Sequence, residues 1–177
     1  MNQMFAHACL GFIDYGFLGA AQIDPYGNIN STVIGEEHSK PRRRFPGSGG
    51  ANDVASFCWR TIIIMRHEKE RFVAKIDFVT SPGYLYGPGA REKAGLPRGT
   101  GPYRVITSMG IFGFHEKNKY MKLLAIAPGY TTEDILNNMG FEPLVAETVE
   151  ELEPPTAEEL RLLREEIDPE RAIIGKV

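Results

Sequence analysis

The residues best suited to chemistry stand together in one short segment, Pro46-Gly47-Ser48-Gly49-Gly50-Ala51-Asn52-Asp53, where three glycines precede a helix-like pattern. Glycine lets a backbone come close to a ligand, and the amino end of a helix carries N–H groups with no intrahelical acceptor. The combination suits a phosphate or the oxygen of a thioester. The same residues read equally well as a plain tight turn. The spacing matches neither GxGxxG nor a P-loop, since no lysine follows the last glycine, which argues against nicotinamide binding and nucleotide hydrolysis. Arg42, Arg43 and Arg44 lie just upstream, as a solvated loop or as phosphate contacts. Their place beside the glycines favours contact.

Other chemistries find less support. His7, His38, His67 and His115 are scattered without HxxxH or HExxH spacing, so no metal site is expected and surface or interface positions are. The run His67-Glu68-Lys69-Glu70-Arg71 reads as a solvated face. Ser31, Thr32 and Ser81 have no His and Asp partners at motif spacing, and Cys58 falls on a predicted buried helix face, which argues against Ser or Cys nucleophiles. Cys9 and Cys58 show no CxxC spacing and read as buried thiols of a reducing compartment.

These residues need a scaffold, and 177 residues with 42% hydrophobic content fit one domain able to bury a core. With 24% charged residues and a net charge of -3, the overall field favours neither nucleic acid nor an anionic membrane. No apolar run approaches the roughly 20 residues of a membrane span and the start has no basic leader, so a cytoplasmic protein is expected. The first dozen residues lack a cap or turn before the first strand, which hints that the sequence begins inside a domain.

Phe17–Gln22 reads as a strand, turning at Asp24-Pro25-Tyr26-Gly27-Asn28 into a second over Ile29–Ile34. Ala51–Trp59 has helical spacing, and Thr61–Met65 and Phe72–Thr80 read as strands. Residues 81–102, rich in Gly and Pro and carrying Arg91, Lys93 and Arg98, read as a long ordered loop serving a site or an interface. Strands over Arg104–Ser108, Ile111–His115 and Met121–Ile126 follow, the last two joined at Glu116-Lys117-Asn118-Lys119. Thr131 and Asp134 open a helix to Met139, and Thr156 and Glu159 open a final one to Ile167. That helix, with Leu160, Leu163 and Ile167 as its apolar stripe, is expected to pack on the outside. The pattern implies a strand-rich α/β domain over 1–177, with 148–177 as an acidic helical extension.

Four segments in order, GFLGAAQIDPYGNINSTVIG, PGSGGANDVAS, HEKERFVAKIDFVTSPG and GLPRGTGPYRVITSMGIFGF, resemble the β subunits of family I CoA transferases of the glutaconate type. The match runs from about Phe17 to Gly140. The resemblance implies an open sheet of the NagB, ribose-5-phosphate isomerase and CoA-transferase type, and a site at a junction with an α subunit in a hetero-oligomer. It implies coenzyme A as substrate, not as a bound cofactor. CoA would pass from an acyl-CoA to a carboxylic or dicarboxylic acid through an enzyme-CoA thioester on a glutamate. Gly47, Ser48, Gly49 and Gly50 then supply a backbone N–H to the oxyanion hole. Gln22, Asn28, Arg44, Ala51, Asn52 and Arg98 become the substrate and CoA candidates.

The family's glutamate lies well upstream of FLGAAQID. None of the sixteen residues before Phe17 is a glutamate, and Glu36 and Glu37 follow the matched strands. A carboxy-terminal portion, inactive alone, is the first expectation. A separate chain carrying the missing part, or loss of the covalent step, are the others. The runner-up function is hydrolysis of a carbon-carbon bond in CoA thioesters of steroid-ring breakdown, and the last is a non-catalytic assembly subunit.

Overall fold

The computed structural model describes residues 2–35, 37 and 39–172, so His38, Glu36 and the end of the expected 148–177 extension lie outside the described residues. A helix, α1 (Asn2–Cys9), leads to β1 (Tyr15–Leu18), the short strands β2 (Gln22–Ile23), β3 (Ile29–Asn30), β4 (Val33–Ile34) and β5 (Arg43–Arg44), and α2 (Ala51–Phe57). There follow β6 (Arg60–Met65), α3 (Ala90–Lys93), β7 (Pro102–Thr107), β8 (Gly110–Phe114), β9 (Met121–Ile126), α4 (Thr132–Asn137), β10 (Leu144–Glu151) and α5 (Ala157–Arg161), which runs into a π-helical turn over Leu162–Ile167.

The main sheet has the order β1-β6-β7-β8-β9-β10. β1, β6 and β7 are parallel, β7, β8 and β9 are antiparallel, and β10 returns parallel to β9. β2–β3 and β4–β5 form two small antiparallel ribbons. The turn chemistry of Asp24–Asn28 produces the first ribbon as expected, while Phe17–Gln22 splits, its first part joining the main sheet.

Alternation along β6 and β9 sends Ile63, Met65, Met121 and Leu123 to one face, where they pack with Val105, Phe112, Phe72 and Ile135. Burying a side chain of this kind stabilises by about 1.5–3 kcal/mol. The opposite face stays open and apolar: Phe17, paired with Ile62, is 64% exposed, and Ile64, paired with Ile106, is 53% exposed.

Three expectations are corrected. Phe72–Thr80 is irregular, tied to the sheet ribbons by an isolated bridge from Phe72 to Ile23. Its buried residues, Phe72, Ile76 and Thr80, recur every four positions, so period-two pairing never arises. Residues 148–151 are strand, because Val145 and Val149 continue a β-branched segment alongside β9. The last helix forms on its Thr156–Glu159 capping box but fully buries no residue: in its apolar stripe Leu160 is half-buried while Leu163 and Ile167 are exposed, so it packs less than expected.

Candidate functional site

β5 ends with the Phe45 amide bonded to the Thr32 carbonyl at 2.9 Å, and the chain then turns through Pro46–Gly50 into α2. Gly47 (φ 101°) and Gly49 (φ 50°) lie in the left-handed region, and a Cβ on either would meet open space. Backbone conformation, not crowding, therefore demands glycine there. Gly50 differs: its φ is -91°, but a Cβ would collide with the Phe5 ring of α1. The Ala51 amide closes the bend on the Ser48 carbonyl at 2.8 Å, and the Ser48 hydroxyl donates to its neighbour, the Gly49 carbonyl, at 3.3 Å. Among the described residues, the amides of Gly47, Ser48, Gly49 and Gly50 find no acceptor. Ser48 and Gly49 are exposed, so these donors are not shut inside the fold.

α2 is held against β1 by the absence of a side chain at Gly16, where a Cβ would strike Val54 and crowd Cys58. It runs back along β6 through the two-residue link Cys58-Trp59, so its amino end is directed toward the carboxyl ends of β1 and β6. Ligands of open α/β sheets bind on that side. An open loop of unpaired amides there can hold an anion or a developing oxyanion.

The other candidates divide. Ala51 is half-buried in the first turn of α2, and exposed Asn52 donates to the Thr80 carbonyl at 3.1 Å, so both belong to the loop. Arg44 is exposed in β5, opposite Val33, and Arg98 is exposed on the 84–100 loop, away from the glycines in sequence. Arg42 and Arg43 line a small cleft with Glu68, Glu70 and Arg71, in which Glu68 pairs with Arg71 at 2.6 Å.

Gln22 and Asn28 are 4% and 3% exposed, with their polar atoms engaged inside the fold. Gln22 accepts from Asn30 at 2.6 Å and donates to Asp77 at 3.2 Å. Asn28 donates to Asp24 (2.7 Å) and the Leu85 carbonyl (2.6 Å) and accepts from the Gly83 (2.8 Å) and Leu85 (3.1 Å) amides. They brace the ribbon, leaving little for a ligand. Burial pushes the Asp24 carboxyl above its ordinary range, against the opposing donors of Asn28 and Tyr26.

His67, expected on a solvated face, is buried against Phe72 and Phe112, with Thr107 Oγ1 at 3.1 Å and the Ile135 carbonyl at 3.2 Å from its nitrogens. Cys58 is buried but Cys9 is exposed. Arg91, which sequence placed only on a loop, is 3% exposed, and burial lowers its pKa from the ordinary value. No signal in the sequence separates it from Arg98. No cluster of three His, Cys, Asp or Glu suited to a metal occurs among the described residues, nor is any helix long and apolar enough to cross a membrane.

An open α/β sheet with a glycine loop at a helix amino end is an arrangement able to present N–H donors to an oxygen-bearing anion. Residues 8–138 match the family model described as coenzyme A transferase, and the chain belongs to that family. It is 54% identical over 158 residues (89% of this chain, 58% of the relative) to the B subunit of glutaconate CoA-transferase from Acidaminococcus fermentans. To the B subunit of 3-oxoadipate CoA-transferase from Pseudomonas knackmussii it is 42% identical over 154 residues, 87% of this chain and 58% of the relative. The crystal structure of the Acidaminococcus fermentans glutaconate coenzyme A-transferase superposes with a TM-score of 0.86 at 52% identity, over 92% of this chain and 62% of that one. The open α/β fold expected from the resemblance is thus the one found. The chain spans less than two thirds of the length of these relatives.

Proposed function

We propose that this chain is part of a CoA-transferase B subunit that moves CoA from an acyl-CoA to a carboxylic or dicarboxylic acid. The observation that carries the reading is the open Gly47-Ser48-Gly49-Gly50 bend with its unpaired amides. Family membership and likeness to two transferases at 54% and 42% identity support it over the ring-cleaving hydrolase reading.

In this proposal a glutamate from outside these 177 residues attacks the thioester carbonyl, and the bend's amides hold the oxyanion. Collapse expels CoA thiolate and leaves a mixed anhydride. The thiolate then attacks the glutamyl carbonyl, releasing the first acid and forming the enzyme-CoA thioester. The acceptor carboxylate repeats the sequence in reverse order, restoring the glutamate. CoA is a substrate here, and an α-type subunit completes the site. Similarity to transferase B subunits, each one part of a larger enzyme, supports such a partner.

The test is exchange of CoA between acetyl-CoA and dicarboxylates in the assembled enzyme, with borohydride added in the presence of acyl-CoA to trap the thioester. Acyl-CoA-dependent inactivation by borohydride is the expected result. The absence of both inactivation and exchange would sink the transfer reading, and release of a ring-opened CoA ester without an acceptor acid would favour the hydrolase.

A further inference from the structure

Away from the glycine bend, the 84–100 loop and the β8–β9 turn enclose a cleft of about 100 Å³ lined by Tyr84, Gly87, Arg91, Gly99, Thr100 and Lys119. The guanidinium of Arg91 is buried there among neutral acceptors alone. Nη1 donates to the Pro82 (3.0 Å) and Gly83 (2.8 Å) carbonyls, and Nη2 to the Ala55 (3.1 Å) and Ser56 (3.3 Å) carbonyls and Thr100 Oγ1 (2.8 Å). Among the described residues its Nε has no partner. A desolvated cation is costly without a compensating anion, and dipoles supply only part of that compensation.

A second cation faces the same cleft. Lys119 is half-buried, in a left-handed turn conformation (φ 60°), with its ammonium 5.3 Å from the centre of the Tyr84 ring. Among the described residues neither Arg91 nor Lys119 makes an ion pair, since the salt bridges join Arg71 to Glu68 and Arg161 to its helix neighbours. Glu92 also lines the cleft, but it is exposed to water, so its charge is screened and tempers the field without cancelling it.

We propose that Arg91 and Lys119 form a site for a phosphomonoester-sized dianion. Neither cation is in an ion pair: Lys119 meets the two negative charges through its ammonium and the hydrogen-bonded Arg91 through its field, and the volume suits a phosphoryl group, well below the roughly 300 Å³ of sites for larger ligands. The group comes from free phosphate or from the phosphomonoester of CoA. The second source rests on the proposed function, and the first does not.

Inorganic phosphate is titrated into the purified protein by calorimetry, with circular dichroism confirming the fold of each variant. Saturable binding is expected, weakened about tenfold in Lys119→Gln and lost in Lys119→Glu, since a charge-assisted contact is removed and then reversed. The turn position keeps both variants folded even where an Arg91 variant fails. Displacement of phosphate by CoA but not by dephospho-CoA assigns the site to the phosphomonoester of CoA, whereas no competition by either assigns it to free phosphate. Absence of saturable binding, or binding unchanged in Lys119→Glu, overturns the proposal. Phosphate binding in an enzyme that shows no CoA exchange would remove the transfer reading and leave this site standing.

Discussion

Asn28→Ala separates a bracing role from a binding one. The amide makes four bonds, two to the backbone of the Gly83-Tyr84-Leu85 segment through its oxygen and two through its nitrogen, one of them to the Asp24 carboxylate. Truncation leaves the Gly83 and Leu85 amides, the Leu85 carbonyl and one oxygen of a buried carboxylate short of partners. At about 1–3 kcal/mol for each buried group left unsatisfied, with some relaxation toward water, the expected loss is about 3–5 kcal/mol. With a urea slope of about 2 kcal/mol/M the unfolding midpoint falls by roughly 2 M.

A pH dependence sharpens the test. The folded Asp24 pKa is already raised from 3.8 by burial, and loss of Asn28 removes the first of the contacts that hold it down. A raised folded pKa means that the folded state holds a proton which the unfolded state has released, so stability falls as pH rises above 3.8. The deficit of the variant relative to the parent is therefore larger at pH 7 than at pH 4. Paired urea titrations at the two values read it directly. A loss under about 1 kcal/mol, together with weakened CoA binding, would refute the bracing role and restore Asn28 as a ligand residue.

Gly47→Ala and Gly49→Ala force left-handed backbone on a residue with a Cβ, costing about 1 kcal/mol each, while misplacing an oxyanion donor lowers turnover on the order of 100-fold. Steady-state CoA exchange in the assembled enzyme, beside thermal unfolding, checks that the catalytic loss exceeds the stability loss. Burial lowers the His67 pKa from 6.5, so the unfolded chain takes up a proton first, and stability, steady above that value, declines as pH drops below it. His67→Gln, followed by denaturant titration from pH 7.5 to 5, should flatten that part of the curve. Thr131→Ala removes one half of the α4 capping box and costs about 1 kcal/mol. Thr156→Ala breaks an equivalent box yet leaves global unfolding nearly unchanged, because α5 buries no residue. Equal effects in the two would contradict that contrast.

Local chemistry was legible where a few neighbouring residues decide the outcome. Asp24 to Asn28 specify their turn, Thr131 with Asp134 specify a cap, and the β-branched run in β6 specifies a core strand. The glycine bend was legible as backbone chemistry, and its open, unpaired amides are compatible with both of its readings, a plain turn and a donor loop. What escaped was set by partners distant in sequence. Phe72 looks like the start of a strand but pairs briefly with Ile23, and His67 looks solvated until Phe72 and Phe112 enclose it. Arg91 and Arg98 share one loop and one residue type, yet Ala55, Ser56 and Thr100 bury the first and leave the second exposed. Periodicity reports which residues share a face of one element, and it is silent on which element lies across from them. The open apolar face of Phe17 and Ile64 shows the same limit from the other side. Their alternation predicts burial, yet among the described residues Phe17 is 64% exposed and Ile64 53% exposed.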